Sequence, residues 1–275
     1  MIVVALVGVS FNSSATVTLE KYKDTSEVTI RIHHQIIEED LVEFKNALES
    51  IKKEKKVLHM NAVQLNSMGG HGSIGRQIGT IIREKKLYTY VGPKSICQSA
   101  CVFILMGGVV RYPFGEVGVH RTTYGRGLEV EDSLTEDTVR IDIKNVKEYG
   151  ATMGFTQALT EAILNTESWK IRTINDVEKR EWQVFGTDRA YEERLFTSIA
   201  KALPMDRSHF VRVFSSNYED CLKEARRFER TAYDCAKTKQ EKRNYWEEIK
   251  TWIIGENTDA MKYYKQVILK LLSLK

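Results

Sequence analysis

A serine, a histidine and a glycine that together could carry out acyl transfer lie within residues 65–120. Ser99 stands where a short extended segment gives way to an apolar helix, and His120 ends another extended segment. A serine nucleophile needs a base to accept its proton and two donors for the oxyanion. His120 could act as the base, and the backbone N–H groups of Gly70 and Ala100 could act as the donors. Taken alone, a serine before an apolar helix is usually an ordinary helix N-cap, and it is the partners of Ser99 that favour a catalytic role.

The hydrophobic pattern around these residues predicts alternating strands and helices. Extended segments are predicted at 26–32, 57–65, 87–91, 116–119 and 170–172, and helices at 38–52, 73–85, after Ser99, 131–150, 156–164 and 173–182. The segment 57–65 is expected to deliver its end to a tight turn at Gly69 and Gly70. Strands that alternate with helices imply a parallel sheet of the α/β class.

The motifs Asn66-Ser67-Met68-Gly69-Gly70, Ser99-Ala100 and Gly118-Val119-His120 occur in the order found in the Clp protease proteolytic subunit. The chain resembles that family, and in particular its periplasmic relatives, within the wider crotonase-like fold. The family's usual proline is replaced by Met68, while the glycines that the turn needs are kept. The resemblance covers residues 25–190, whereas residues 191–275 are predicted to form a helical appendage.

The resemblance implies a repeated β-β-α spiral core and a serine peptidase that requires no cofactor or metal. It also implies a homo-oligomer that acts on peptides or proteins. Ser99 would be the nucleophile and His120 the base, with Gly70, Ala100 and Gly69 forming the oxyanion hole.

The third catalytic residue of the family, an acid, corresponds to the segment 165–169. Glu167 is the acidic residue in that segment, so the resemblance assigns it to orient His120. Asp188 matches the end of the family's closing strand, and a structural role is expected for it. If neither carboxylate reaches His120, the protein would be a Ser-His dyad enzyme or an inactive relative.

The composition limits the choice of function. The 275 residues are 42% hydrophobic and contain three prolines, which is typical of a globular protein. The net charge of +4 comes entirely from residues 191–275, which contain 17 Lys or Arg and 13 Asp or Glu. These charges alternate in sign, as on a solvated helix face, and argue against a nucleic-acid interface. A docking surface for a protein partner is the functional alternative for this tail.

The first 15 residues fit two interpretations. An apolar run followed by small residues is typical of a signal peptide, and it predicts a periplasmic or secreted protein. The same residues also fit a buried N-terminal strand, which leaves a cytoplasmic location open.

Four cysteines are present, and two of them flank Ser99. If Cys97 and Cys101 both lay in a helix, their Cβ atoms would stand beyond disulfide range, so two buried thiols are the favoured expectation. A bridge becomes possible if Cys97 precedes the helix. Cys221 and Cys235 would pair only if the chain folded back between them.

Two other function classes share some of these features. A crotonase-type acyl-CoA enzyme also places two backbone N–H groups on an acyl oxygen, but it has no need for a serine and histidine pair at Ser99 and His120. A catalytically silent scaffold would use its helical tail to bind a partner.

Overall fold

The computed structural model describes residues 16–21, 27–122 and 136–191, together with 193, 194, 197 and 208. The predictions for residues 1–15, for residues 131–135 of the helix expected at 131–150, and for almost all of the tail, including Cys221 and Cys235, lie outside the described residues. The chain divides into two compact units, Met1–Gly186 and Thr187–Lys275. The candidate catalytic residues all belong to the first unit.

The described residues form nine strands and six helices. The strands are β1 (Val17–Lys21), β2 (Glu27–Ile36), β3 (Val57–Gly70), β4 (Tyr88–Val91), β5 (Ile96–Gln98), β6 (Val110–Pro113), β7 (Glu116–Val119), β8 (Arg172–Ile174) and β9 (Gly186–Thr187). The helices are α1 (Asp40–Lys53), α2 (Gly72–Glu84), α3 (Ala100–Gly107), α4 (Glu136–Met153), α5 (Gln157–Asn165) and α6 (Asp176–Glu181).

The strands form one mixed sheet around the long strand β3. The order is β8-β7-β5-β3-β4-β6-β9, while β2 also pairs with β3, and β1 pairs with β2. The pairs β2–β3, β3–β4, β3–β5, β4–β6 and β5–β7 are parallel. The pairs β1–β2 and β7–β8 are antiparallel. The predicted α/β class with parallel strands is confirmed.

Helix α3 lies inside the core, because all eight of its residues are buried. Glycines allow α2 to approach it closely: a Cβ built on Gly75 would lie 2.6 Å from the carbonyl oxygen of Ala100. A Cβ built on Gly107 would lie 2.3 Å from the carbonyl oxygen of Gly79. Buried on every side, α3 has a fixed position, and so does the Ser99 turn at its N-terminus.

The guanidinium of Arg111 is fully buried and links three parts of the chain. It donates hydrogen bonds to the carbonyl oxygens of Gly108 at 3.0 Å, Gln183 at 2.7 Å and Met153 at 3.0 Å. Backbone carbonyls thus satisfy a buried cation that would be costly to leave without partners.

Two local expectations are corrected by the structure. Strand β3 continues through Gly69 and Gly70, which keep strand pairing at positive φ values of +99° and +139° instead of forming a tight turn. The segment 172–174 is a strand, and α6 begins only after Asn175, whose side chain and Glu178 form a capping box. Strands β1 and β6 were not predicted, because β1 is short and β6 contains a charged residue and a proline. None of the helices in the described ranges is long and apolar enough to cross a bilayer.

Candidate active site

Ser99 occupies the junction between β5 and α3, as the sequence predicts. Its backbone has φ +54° and ψ −123°, a region that residues with a Cβ rarely adopt and that costs about 1–3 kcal/mol. The Ser99 N–H donates to the carbonyl of Gly118 at 2.9 Å, and the Ser99 carbonyl accepts from the N–H of Val102 at 3.0 Å. This sharp turn presents the serine at the first turn of a helix, where backbone N–H groups have no acceptor within the helix.

The end of β3 packs directly against this turn. A Cβ built on Gly69 would lie 2.6 Å from the Cβ of Ser99 and 3.1 Å from the backbone nitrogen of Ala100. A Cβ built on Gly70 would meet the backbone of β2, at 2.2 Å from the carbonyl oxygen of Ile36. Only glycine fits at these two positions, because both the space and the positive φ exclude a side chain.

One cavity of about 170 Å³ brings together Ser99, His120, Gly70 and Ala100. Much of its remaining wall is apolar, formed by Phe103, Val119, Val139, Ile143, Val146, Ile163 and Leu164. Four of the residues that the sequence assigned to the catalytic centre therefore line a single cavity. Of the other two, Gly69 packs against the Ser99 turn, and Glu167 does not line the cavity.

His120 follows strand β7 and is partly buried. Its Nδ1 atom is buried and makes no hydrogen bond. Burial lowers the pKa of His120 below its usual 6.5, while the nearby backbone of Ser168 and of Arg121 opposes that change in pKa. The imidazole is therefore neutral at pH 7, which is the form that can accept a proton from a serine.

The loop after α5 lies beside His120, because the N–H of Arg121 donates to the carbonyl of Thr166 at 2.9 Å. In this loop, the carboxylate of Glu167 forms an ion pair with Lys170, and its side chain is 40% exposed. The backbone of Ser168 is the part of the loop that influences the imidazole of His120. The carboxylate of Asp188 accepts a hydrogen bond from the N–H of Tyr191 at 3.0 Å, within the second unit.

Asp142 is a cavity residue that sequence reasoning did not single out. Its carboxylate accepts a hydrogen bond from Thr122 at 2.5 Å and lies 3.5 Å from the guanidinium of Arg76. That guanidinium in turn lies over the ring of Phe103, 5.4 Å from its centroid. Asp142 lies in a charged helix with no distinctive spacing, so no motif could have indicated that it faces the cavity.

A disulfide joins Cys97 to Cys101, with their Cα atoms 5.2 Å apart. The expectation of two free thiols is therefore wrong. It assumed that both residues are helical, whereas Cys97 belongs to β5 and the turn at Ser99 brings it to within bonding range of Cys101. Within the described ranges, no group of three or more His, Cys, Asp or Glu side chains could hold a metal ion.

Comparisons with known proteins do not identify the function of this protein, so the function is inferred from the geometry of the cavity. No protein-family model matches the sequence, and no curated protein matches it. Among solved structures, a serine-to-alanine mutant of the 1510-N membrane-bound stomatin-specific protease is similar with a TM-score of 0.43 and 15% identity, covering 56% of this chain and 75% of that one. A lysine-to-alanine mutant of that protease in complex with a substrate peptide gives a TM-score of 0.42 and 16% identity, covering 56% and 71%.

Proposed function

We propose that this protein is a serine hydrolase that cleaves peptides or proteins through Ser99 and His120. The observation that carries the proposal is the strained turn at Ser99, which opens at the N-terminus of α3 into the cavity shared with His120. A helix N-cap does not require φ +54° at a serine, since N-cap residues ordinarily have an extended backbone. Strain at a residue that faces a cavity is typical of functional sites.

In the proposed reaction, Ser99 Oγ attacks the substrate carbonyl while His120 accepts the hydroxyl proton. The N–H groups of Gly70 and Ala100 stabilise the oxyanion. Gly69 assists them, because it packs against Ser99 and Ala100 and so fixes the position of the backbone. His120 then protonates the leaving amine and activates the water that hydrolyses the acyl-enzyme. The largely apolar wall of the cavity suits an uncharged substrate side chain and excludes water from the reacting atoms.

We propose that the backbone carbonyl of Ser168, which lies beside the imidazole but makes no hydrogen bond with Nδ1 in the free protein, accepts one when substrate binds and so orients His120. Glu167 is the alternative, and it would have to leave Lys170 to accept a hydrogen bond from the imidazole. A carbonyl can hold the ring in place, but it supplies no full negative charge to stabilise the imidazolium that forms in the transition state. A slower reaction than that of a triad with a carboxylate is therefore expected.

The wider setting of the proposal follows the family resemblance. The first unit would have the spiral core of the Clp protease subunit and the crotonases, and the protein would assemble as a homo-oligomer. A periplasmic or secreted location is supported by the Cys97–Cys101 disulfide, because disulfides persist in oxidising compartments. The helical tail is proposed to bind a protein partner.

A catalytically silent scaffold is the second candidate. The observation that favours it is the Nδ1 atom of His120, which is buried without a hydrogen-bond partner. A histidine without a fixed orientation removes a serine's proton poorly, so such a protein would keep the fold and lose the reaction.

A fluorophosphonate probe tests the proposed function. The proposal expects the intact protein to gain one probe mass at Ser99 and to digest a peptide library, and it expects both activities to vanish in Ser99→Ala. A folded parent protein that neither reacts nor digests would support the scaffold. A folded, unreactive protein that depletes acyl-CoA would support the crotonase-type alternative.

A further inference from the structure

The disulfide encloses the proposed nucleophile. Cys97 and Cys101 are each fully buried, and only Gln98, Ser99 and Ala100 lie between them. This short loop contains the attacking hydroxyl and one of the two oxyanion donors. The bond thus joins strand β5 to the first turn of α3 at the place where the backbone changes direction.

The loop is held in a conformation that it would not adopt alone. Ser99 has φ +54°, and relaxation to a negative φ would rotate its side chain and the Ala100 N–H together. The backbone hydrogen bond from Ser99 to Gly118 and the packing of Gly69 hold the turn on one side. The disulfide fixes its two ends relative to each other.

A contribution to the stability of the whole fold does not explain why the disulfide lies at this position. In the chain-entropy description, a disulfide stabilises a protein more when it closes a longer loop. A bond between residues four apart constrains the unfolded chain less than a bond between distant segments would. Its principal effect is therefore on the local geometry of residues 98–100.

We propose that the Cys97–Cys101 disulfide is a positioning element that keeps Ser99 and the Ala100 N–H in their reactive arrangement. This inference rests on the proposed serine hydrolase function. Reduction by a dithiol would transfer two electrons and two protons to the bond, giving two thiols and one oxidised reductant. The reduced loop relaxes, so the enzyme is fully active only where the bond forms, which is an oxidising compartment.

The test compares the parent protein with the double variant Cys97→Ala/Cys101→Ala. Ile104→Val is the matched control, because it removes buried volume from α3 outside the disulfide loop. Fluorophosphonate labelling of Ser99, amide hydrogen exchange of residues 98–102 and the melting temperature are measured on all three proteins. Reduction and alkylation followed by mass spectrometry establish that the parent contains the bond.

The proposal expects the double variant to label at least tenfold more slowly and to exchange the amides of residues 98–102 at least tenfold faster. Its melting temperature should fall no further than that of Ile104→Val, which should label and exchange like the parent. Equal exchange in parent and double variant, or free thiols in the parent, would overturn the proposal. If no protein is labelled, the serine hydrolase function fails, while hydrogen exchange still decides whether the disulfide holds the loop.

Discussion

The state of His120 decides how fast Ser99 can react. Its imidazole has a buried Nδ1 and a lowered pKa, and the charged groups around the cavity are largely engaged elsewhere. Asp142 pairs with Arg76 and Thr122, and Glu167 pairs with Lys170. The base is thus neutral at pH 7, but it receives little stabilisation once it is protonated.

A direct consequence concerns the pH dependence of Ser99 labelling. Because burial lowers the pKa of His120, the neutral base persists below pH 6.5 and is lost only when the pH falls through the lowered value. The rate of labelling should therefore be half-maximal at a pH below 6.5 and approach a plateau at higher pH. Rates measured from pH 4.5 to 8.5 check this, and a midpoint clearly above 6.5 would contradict the assignment of His120 as a buried base.

Ser168→Asp should convert the dyad into a triad. Because the backbone of Ser168 faces the imidazole, we expect an aspartate here to accept a hydrogen bond from Nδ1–H and to stabilise the imidazolium, so that the plateau rate rises by about tenfold. The same negative charge should raise the pKa of His120 and move the acidic limb to higher pH. Labelling rates across the pH range measure both effects.

Two variants serve as controls for Ser168→Asp. Ser168→Asn has a similar size without the charge and should leave the acidic limb in place. Glu167→Gln tests the alternative orienting group: an unchanged profile would remove Glu167 from the catalytic centre, whereas a large loss of rate without unfolding would restore it and argue against Ser168.

The individual site residues were predictable to different degrees. Ser99, His120 and Gly70 could be found because a family motif surrounds each of them, and the cavity brings all three together. The surroundings of the imidazole could not be found, because they depend on which backbone group of the loop faces the ring. Asp142 was missed for a similar reason, since only the packing of α4 turns it toward the cavity.

At the scale of elements, the site depends on how closely the end of β3 approaches the start of α3. Gly69 and Ser99 are nearly in contact across this junction, and Gly75 on α2 supports the other side of the same turn. Because these glycines pack so closely, the backbone that carries the oxyanion donors is held against the core.

Gly69→Ala should greatly slow Ser99 labelling. The added methyl carbon would lie 2.6 Å from the Cβ of Ser99, so the serine side chain would have to move. Gly186→Ala is the matched control: it introduces the same kind of strain, at φ +105°, but its Cβ would meet nothing within 4 Å. Both variants should lose about 1 kcal/mol or more of stability from the positive φ. Labelling rates are compared under conditions where the same fraction of each variant is folded, so that the loss of stability does not affect the comparison. Equal rates in Gly69→Ala and Gly186→Ala would contradict the proposed role of the contact between β3 and α3.

The sequence predicted most elements because their hydrophobic periodicity is strong, as in β2 and α2. It failed where a tertiary contact overrides the local pattern. Strand pairing with β2 keeps Gly69 and Gly70 extended, and the turn at Ser99 draws Cys97 and Cys101 together. These two failures lie at the catalytic centre, where local preferences are commonly overridden, whereas the missed strands β1 and β6 and the later start of α6 lie outside it.

At the scale of the whole first unit, Arg111 ties strand β6 to the end of α4 and to the segment before β9. Three carbonyl groups accept hydrogen bonds from one buried guanidinium, and that of Met153 accepts a second one from Arg83. This arrangement could not be predicted from the sequence, where an arginine in a short segment ending in proline argues against a core strand.

Arg111→Met should lower the free energy of unfolding by about 2–4 kcal/mol, because the carbonyls of Gly108 and Gln183 would lose the guanidinium as a donor, while the carbonyl of Met153 would keep only its hydrogen bond from Arg83. Arg111→Lys keeps the charge but cannot reach all three acceptors, so an intermediate loss is expected. Chemical denaturation of the three proteins measures the difference. A loss below 0.5 kcal/mol in Arg111→Met would show that the guanidinium is not a structural link.

The most direct measurement of the central claim is the site of fluorophosphonate attachment, determined by peptide mass spectrometry on the parent protein, Ser99→Ala and His120→Ala. We predict one adduct at Ser99 in the parent, none in Ser99→Ala and labelling slowed by at least a hundredfold in His120→Ala, with melting temperatures nearly unchanged. Equal labelling of the parent and Ser99→Ala, or an adduct at a different residue, would contradict the account.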